Sequence, residues 1–305
     1  MSINHTDWCL QEAAQVSQID YIAIGERLRA YRIGRQLNAD QIAEKLQISR
    51  AAVYRLELGK IFKLETLERL AVLLDVSFSS LIGSDTEYFD NALGYFERMR
   101  QLEAKSTRIL SYFDPFSYLL TSPAYNDQFV TMLGESRPKD FTDEDGLKQI
   151  LILSILNERK ETFLKHKFKV RQIISLRQIE RFLHIGLVGR LDLPPSVRME
   201  RALLARREVE HLIDLIGAES NIEIFVIDDS LPSTTFQIFE QPHASYVAVS
   251  PYRLGELPNI DTGIASVASA PEVVDMYKKM TLGLLDRASS GNSARQLLID
   301  LLAKL

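Results

Sequence analysis

The sequence predicts an all-α N-terminal domain of five short helices, joined by a helix to a larger α+β domain. Three observations carry this prediction. Apolar residues recur at intervals of three and four through residues 21–85, with only short breaks. The same period occurs in residues 86–112, which predicts one longer connecting helix. Short β-branched and aromatic runs occur only later, which predicts an α+β domain over residues 113–305.

The N-terminal elements follow from this periodicity. Residues 1–20 form a polar extension, in which we expect a short helix at 13–19. The five helices of the first domain are expected at 22–35, 39–46, 50–58, 64–74 and 78–82. The connecting helix is predicted from the recurrence of Phe89, Leu93, Phe96, Met99 and Leu102.

The elements of the α+β domain come from two kinds of pattern. Helices are expected at 143–165, at 196–216 and, as a pair broken at Gly291, at 271–304. Strands are expected at 169–176, 222–227, 235–239 and 246–250. Clusters of Pro, Asp and Ser bound the last three strands, as is usual for strands. Pro271 suits the first turn of the helix that it opens.

Composition limits the function classes. A chain of 305 residues is long enough for about two domains. A single cysteine, Cys9, excludes an internal disulfide and a thiolate metal cluster. The first ten residues do not resemble a signal peptide, and the longest apolar run, 150–156, is too short to span a bilayer. We therefore expect a cytoplasmic protein with no membrane contact.

Charge is unevenly distributed along the chain. The net charge is −5, but residues 21–83 hold ten basic and seven acidic residues. That segment is therefore +3, which leaves −8 for the remainder. This asymmetry indicates one basic module joined to an acidic domain.

Residues 37–60 carry the most informative pattern. Asn38 can cap one helix and Ser49 the next, with a break of only a few residues between them. Apolar residues that point inward recur in both helices: Ile42, Ala43, Leu46, Val53 and Leu56. The opposite side of the second helix presents Arg50, Ala51, Tyr54, Arg55 and Leu58. Arginines on such a face suit the major groove, where one guanidinium donates two hydrogen bonds to guanine.

The segments LRAYRIGRQLNADQIAEKL, QISRAAVYRLELGK and LETLERLAVLLDVSFSSLIG, within residues 28–83, resemble the Cro and lambda-repressor type of helix-turn-helix, the Xre family. The resemblance implies that the second helix of the pair lies in the major groove. It implies base contacts from Arg50, Ala51 and Arg55, a phosphate-contacting cap at Ser49, and a buried ion pair between Arg32 and Glu57. The full set of expected DNA-contacting residues is Asn38, Ser49, Arg50, Ala51, Tyr54, Arg55 and Lys60.

Four positions depart from the family pattern. Ala39 replaces a glutamine that contacts phosphate, and Gln47 replaces the turn glycine. Phe62 stands where a proline is common, and Leu58 where a polar phosphate contact is frequent. These departures affect the details of DNA contact rather than the fold. An ordinary helical hairpin that never touches DNA is the alternative interpretation of the segment.

The remaining chain resembles the C-terminal domain of antitoxin-like Xre regulators, a domain for which the family implies no reaction. The likeness rests on EAKSTRILSYFDPFSYLLTSPAY at 103–125, REVEHLIDLIGAESNIEIFVID at 207–228, and TFQIFE followed by VVDMYKKMTLGLLDRAS. The aromatic residues of the first segment, Tyr118 and Tyr125 among them, can line a ligand pocket or form a core or dimer contact.

No pattern predicts an enzyme or a cofactor. The five histidines are scattered without metal-ligand spacing, and no nucleophile motif or glycine-rich phosphate loop is present. Asp228 and Asp229 can act as an acid–base pair, although a solvated turn is the simpler interpretation. The basic run at 158–171 is either a second nucleic-acid patch or a solvated helix face.

Two hypotheses of function remain. The first is a homodimeric, DNA-binding transcription regulator whose second domain senses a small molecule or a protein partner. The alternative is an antitoxin-like adaptor, in which the second domain grips another protein and the first domain regulates the adaptor's own operon. Isolation of the protein with a stoichiometric protein partner favours the adaptor.

Overall fold

The computed structural model describes residues 20–60, 63–83, 86–166, 168–218, 221–229 and 231–305. The helix expected at 13–19 and Phe62 lie outside these residues. Five short helices open the fold: α1 (Tyr21–Gly34), α2 (Ala39–Leu46), α3 (Arg50–Glu57), α4 (Leu64–Leu74) and α5 (Phe78–Ile82). The predicted all-α first domain is confirmed, with every helix within a residue of its expected bounds.

An eight-stranded sheet forms the centre of the second domain. Its strands are β1 (Thr86–Phe89), β2 (Arg108–Tyr112), β3 (Lys169–Ser175), β4 (Ile222–Ile227), β5 (Thr235–Glu240), β6 (Ser245–Ser250), β7 (Ala265–Ala268) and β8 (Ser289–Ser290). Their order is β1-β7-β6-β5-β2-β3-β4-β8. Only β2, β3 and β4 are parallel neighbours, and the remaining pairs are antiparallel. The predicted α+β class is confirmed.

Seven α-helices and one 3-10 turn accompany the sheet. They are α6 (Ala92–Lys105), the 3-10 turn η1 (Tyr118–Leu120), α7 (Tyr125–Glu135), α8 (Asp143–His166), α9 (Leu176–Ile185), α10 (Pro195–Leu215), α11 (Pro271–Leu285) and α12 (Gly291–Lys304). One sheet face joins the larger core, which also includes α6, α8 and the first domain. The other face packs against α11 through Val274 and Leu284.

The prediction of one helix over residues 86–112 is wrong. The segment contains two strands, β1 and β2, on either side of the 14-residue helix α6. Asn91 starts α6, because its side chain accepts a hydrogen bond from the amide of Gly94. Phe89 matches the helical period but lies in β1, where it is buried. Strands therefore also occur before residue 113, and this segment belongs to the sheet domain.

Helix α6 packs directly on α1. A Cβ atom placed on Gly94 would lie 3.2 Å from the Cα of Gly34, so the two helices meet backbone to backbone. Beside this contact, Glu87 of β1 receives hydrogen bonds from two buried arginines. Arg98 of α6 donates to both Glu87 oxygens, each at 2.8 Å, and Arg27 of α1 donates to one at 3.5 Å. Charged side chains thus join α1, β1 and α6 in the interior.

We predict that Glu87→Gln destabilises the whole chain by about 3–5 kcal/mol, because it removes the carboxylate from buried Arg27 and leaves buried Arg98 with the more distant carboxylate of Glu26, at 3.8 Å. Urea denaturation followed by circular dichroism measures the change. Glu210→Gln is the matched control, since Glu210 is exposed and forms only an i,i+4 pair with Arg206. Equal midpoints for Glu87→Gln and the wild type would show that the buried network contributes nothing.

Candidate nucleic-acid interface

Helices α2 and α3 form a tight helical pair whose caps are built from its own side chains. The amide of Gln41 donates to the Asn38 side chain at 2.8 Å, and the amide of Asn38 donates to the Gln41 side chain at 2.7 Å. This reciprocal capping box starts α2. Gln47 ends it with a φ of 56°, the left-handed conformation that glycine adopts most readily. The missing turn glycine therefore leaves the turn intact.

Ser49 starts α3, since its hydroxyl accepts a hydrogen bond from the amide of Ala52 at 3.1 Å. A serine hydroxyl that accepts one hydrogen bond can also donate another. One side of α3 is anchored in the core by Val53 and Leu56. Gly59 follows α3 and has a φ of 71°. A Cβ atom at this position would lie 2.7 Å from the carbonyl oxygen of Tyr21, so only glycine fits without a shift of the backbone.

The other side of α3 is exposed to solvent. All seven residues expected to contact DNA are exposed: Asn38, Ser49, Arg50, Ala51, Tyr54, Arg55 and Lys60. Leu58 lies beside them with 61% of its surface exposed. We call this set of seven residues, together with Leu58, the α3 surface.

Arg50 is held over the α3 surface by two neighbours. One of its nitrogens donates to the Tyr54 hydroxyl at 3.1 Å, and another lies 3.4 Å from a carboxylate oxygen of Asp40 on α2. The Tyr54 hydrogen bond and the Asp40 charge raise the pKa of Arg50. The contact with Asp40 is not predicted from the sequence, because nothing in the spacing of residues 40 and 50 indicates it.

Arg32 and Glu57 form an ion pair between α1 and the end of α3. The guanidinium uses two nitrogens on the two carboxylate oxygens, and its third nitrogen donates to the carbonyl of Leu37 at 2.8 Å. Close by, a Cβ atom on Gly25 would lie 2.5 Å from the carbonyl oxygen of Glu57. The end of α3 is therefore fixed against α1 by both charge and close backbone contact.

Tyr118 and Tyr125 lie in the core of the second domain rather than on its surface. The Tyr118 hydroxyl lies 3.2 Å from the side-chain oxygen of Asn126, and Tyr125 donates to the carbonyl of Leu254 at 2.6 Å. Burial raises the pKa of Tyr118 to about 12 and that of Tyr125 well above its usual value. Tyr118 borders a narrow cavity of about 30 Å³, which Tyr125 does not line.

The described part of the chain holds neither a metal-ligand cluster nor a membrane-spanning helix. No group of three or more His, Cys, Asp and Glu residues there is arranged to hold a metal ion. None of the helices described has both the length and the apolar character needed to cross a bilayer. Asp228 and Asp229, considered as an acid–base pair, each lie beside an arginine, Arg177 and Arg287 respectively.

Comparison with known proteins concerns the first domain only. A family model described as a helix-turn-helix domain matches residues 23–78, which span α1 to α4 and the start of α5. No curated protein matches the chain. The geometry of α2 and α3 and this match agree: the chain carries a helix-turn-helix domain, the module of DNA-binding regulators.

Proposed function

We propose that this protein is a sequence-specific DNA-binding transcription regulator of the Xre type. The observation that carries the proposal is the α3 surface, where Arg50, Tyr54 and Arg55 project from one exposed helix face. An α-helix fits the major groove of B-DNA, and arginine is the side chain that most often reads guanine there. The +3 charge of residues 21–83 favours approach to a phosphate backbone.

The proposed contacts divide into two kinds. Arg50 and Arg55 reach base edges, with Ala51 close enough to pack on a thymine methyl group. Ser49, Asn38 and Lys60 contact phosphates, which position the helix but carry no sequence information. The Arg32–Glu57 pair touches no DNA and holds the end of α3 in place.

Arg50 must exchange partners when DNA binds. In the free protein its charge is shared with Asp40, and both side chains are about 60% exposed. An exposed pair of this kind contributes little stability, so a phosphate or a guanine can replace Asp40 at small cost. Asp40 then faces DNA as an uncompensated negative charge, which lowers affinity for every sequence.

We further propose that the protein acts as a homodimer whose α+β domain is regulatory rather than catalytic. One helix-turn-helix contacts too few base pairs for high specificity, and symmetric dimers double the contact. The sheet domain is far larger than dimerisation alone needs, which supports a second role in sensing a small molecule.

One observation favours the adaptor hypothesis. Leu147, Ile150 and Leu151 form an exposed apolar stripe on α8, with exposed fractions from 44% to 63%. Such stripes mark protein contacts. Mass measurement of the protein isolated from its native cells separates the hypotheses: a symmetric dimer supports the regulator, and a stoichiometric second protein supports the adaptor.

The first prediction from the proposed function concerns the α3 surface. Arg50→Ala and Arg55→Ala each weaken binding to the operator by about 1–3 kcal/mol, because each loses a base contact. Fluorescence anisotropy at fixed salt measures the affinity, on an operator identified by genome-wide mapping of bound DNA. Arg198→Ala, at an exposed position of α10, is the control and retains full affinity. Unchanged affinity in both α3 variants would refute the assignment.

The second prediction concerns Asp40. Asp40→Asn tightens binding to operator and to unrelated duplex alike, by about fivefold, since it removes a negative charge near phosphates. The stability of the protein falls by less than about 1 kcal/mol, because the lost pair is exposed. Asp214→Asn, which removes the same charge from α10, leaves DNA affinity unchanged. Weaker binding by Asp40→Asn would mean that Asp40 positions Arg50 rather than restrains it.

The third prediction concerns the operator. It is a pseudo-palindrome whose half-sites lie about 34 Å apart, or a multiple of that distance, because a symmetric dimer presents one α3 to each half. Footprinting combined with mass measurement of the complex checks both the spacing and the stoichiometry. A monomer protecting a single asymmetric half-site would contradict the dimer.

A further inference from the structure

An apolar cavity of about 200 Å³ lies between α8 and α10, open to solvent on one side. Its apolar walls are Leu119, Leu120, Pro123, Phe163, Leu164, Leu215 and Ile222. The turn η1 and the start of β4 close its inner end. None of these residues takes part in the α3 surface, and the cavity is separate from the narrow one that Tyr118 borders.

The size of the cavity limits its occupant. An engineered apolar protein cavity of about 150 Å³ accommodates benzene. A volume of about 200 Å³ with an open side therefore has room for a benzene ring or a chain of about six to eight carbon atoms. Larger rigid molecules do not fit without movement of α8 or α10.

The polar groups of the cavity wall determine the head group of such a molecule. They are Thr121, Lys160, His211 and Asn221. Among the described residues that line the cavity, none carries a carboxylate, whereas Lys160 supplies a cation. The wall is thus complementary to an anion at one point and to hydrocarbon elsewhere.

Lys160 is held in place by the loop after η1. Its ammonium donates to the carbonyl of Thr121 at 2.6 Å, to the Thr121 hydroxyl at 2.9 Å and to the carbonyl of Ser122 at 2.9 Å. All three acceptors are neutral. Burial lowers the pKa of Lys160 to about 8, although the charge of nearby Glu208 opposes the change.

Glu208 itself is occupied by Ser122. Its carboxylate accepts hydrogen bonds from both the amide and the hydroxyl of that residue. Glu208 also lies outside the residues that line the cavity. The three acceptors use all three donors of the ammonium, so a ligand carboxylate binds Lys160 by replacing one of them. An ionised acceptor then takes the place of a neutral one, and the low polarity of the surroundings strengthens the attraction.

We propose that this cavity binds a small apolar carboxylic acid, aliphatic or aromatic, with its carboxylate at the ammonium of Lys160 and its hydrocarbon part against Phe163, Leu120 and Ile222. Neither Tyr118 nor Tyr125 lines this cavity. Tyr118 contributes indirectly, because its ring lies 5.5 Å from the Lys160 nitrogen and supports that side chain.

The cavity is connected to the helix-turn-helix domain through two packed helices. Arg159, the residue before Lys160, forms a buried bidentate pair with Glu103 of α6 at 2.7 and 2.8 Å. Helix α6 in turn packs on α1. An effect of the acid on DNA affinity would follow from a shift of α8, and this regulatory role rests on the proposed function.

The test titrates the whole 305-residue chain with sodium octanoate in the absence of DNA. Isothermal titration calorimetry measures the affinity and the stoichiometry. The wild type binds one octanoate per chain, and octan-1-ol binds at least tenfold more weakly. Lys160→Met reduces octanoate affinity at least tenfold. Lys165→Met, an exposed lysine on the same helix paired with Glu161, retains wild-type affinity.

A second variant keeps the test decisive if Lys160→Met fails to fold. Leu164→Trp fills the mouth of the cavity from a position that is 63% exposed, so the fold tolerates it, and it abolishes octanoate binding. Octanoate binding that is absent in the wild type, or equal in all variants, overturns the proposal. A third result also overturns it: the wild type is a dimer that does not bind octanoate, and the Leu164→Trp variant is a monomer. A side chain of the second copy would then occupy the cavity.

A separate measurement of operator affinity, with and without octanoate, tests the regulatory role. If the two sites are coupled, each ligand changes the affinity for the other by the same factor. Octanoate that weakens DNA binding is therefore itself bound more weakly by the complex with DNA. Lys160-dependent octanoate binding without any change in DNA affinity supports the site and counts against sensing. Failure to bind any operator refutes the proposed function and leaves the calorimetric result standing.

Discussion

The buried carboxylate of Glu87 is the constraint on which the relation between the two domains depends. It lies between Arg27 of α1 and Arg98 of α6, and Arg27 also donates to the carbonyls of Leu81 and Ile82 at the end of the first domain. A buried ion without its partner costs several kcal/mol. The close approach of α1, β1 and α6 pairs these buried charges, and the helix-turn-helix domain and the sheet share one core.

Helix α1 therefore contacts the sheet domain through one set of residues and helix α3 through another. Arg27 faces the sheet domain, and Arg32, further along the helix, pairs with Glu57 at the end of α3. Glycines occur where the backbones come closest, Gly25 against α3 and Gly34 against α6. The direction of the α3 surface relative to the sheet is thus set through one helix. In the proposed dimer, contacts between sheet domains would fix the distance between the two α3 helices through the same helix.

Local signals in the sequence were sufficient for the first domain and insufficient for the start of the second. The caps at Asn38 and Ser49 and the regular apolar period depend only on residues close to one another in the sequence. The bounds of these helices could therefore be predicted closely. The apolar period of residues 86–112 and the cap at Asn91 belong to α6 alone. The flanking strands β1 and β2 are short and form only by pairing with β7 and with β3 and β5, which are distant in sequence. Phe89 happens to match the helical period, which concealed the strand.

The same distinction separates the α3 surface from the cavity. Residues of the α3 surface lie within 23 positions of one another, and a family resemblance could assign them. The cavity draws Leu120, Lys160 and His211 from three separate parts of the chain, and no spacing relates them. Tyr118 and Tyr125 belong to an aromatic-rich segment, which is why the sequence indicated a ligand pocket there. Aromatic side chains that are close in sequence also bury a large area when they pack on each other, as these two do. The space for a ligand lies beside this aromatic pair, in the cavity lined by Lys160 of α8 and Leu215 of α10.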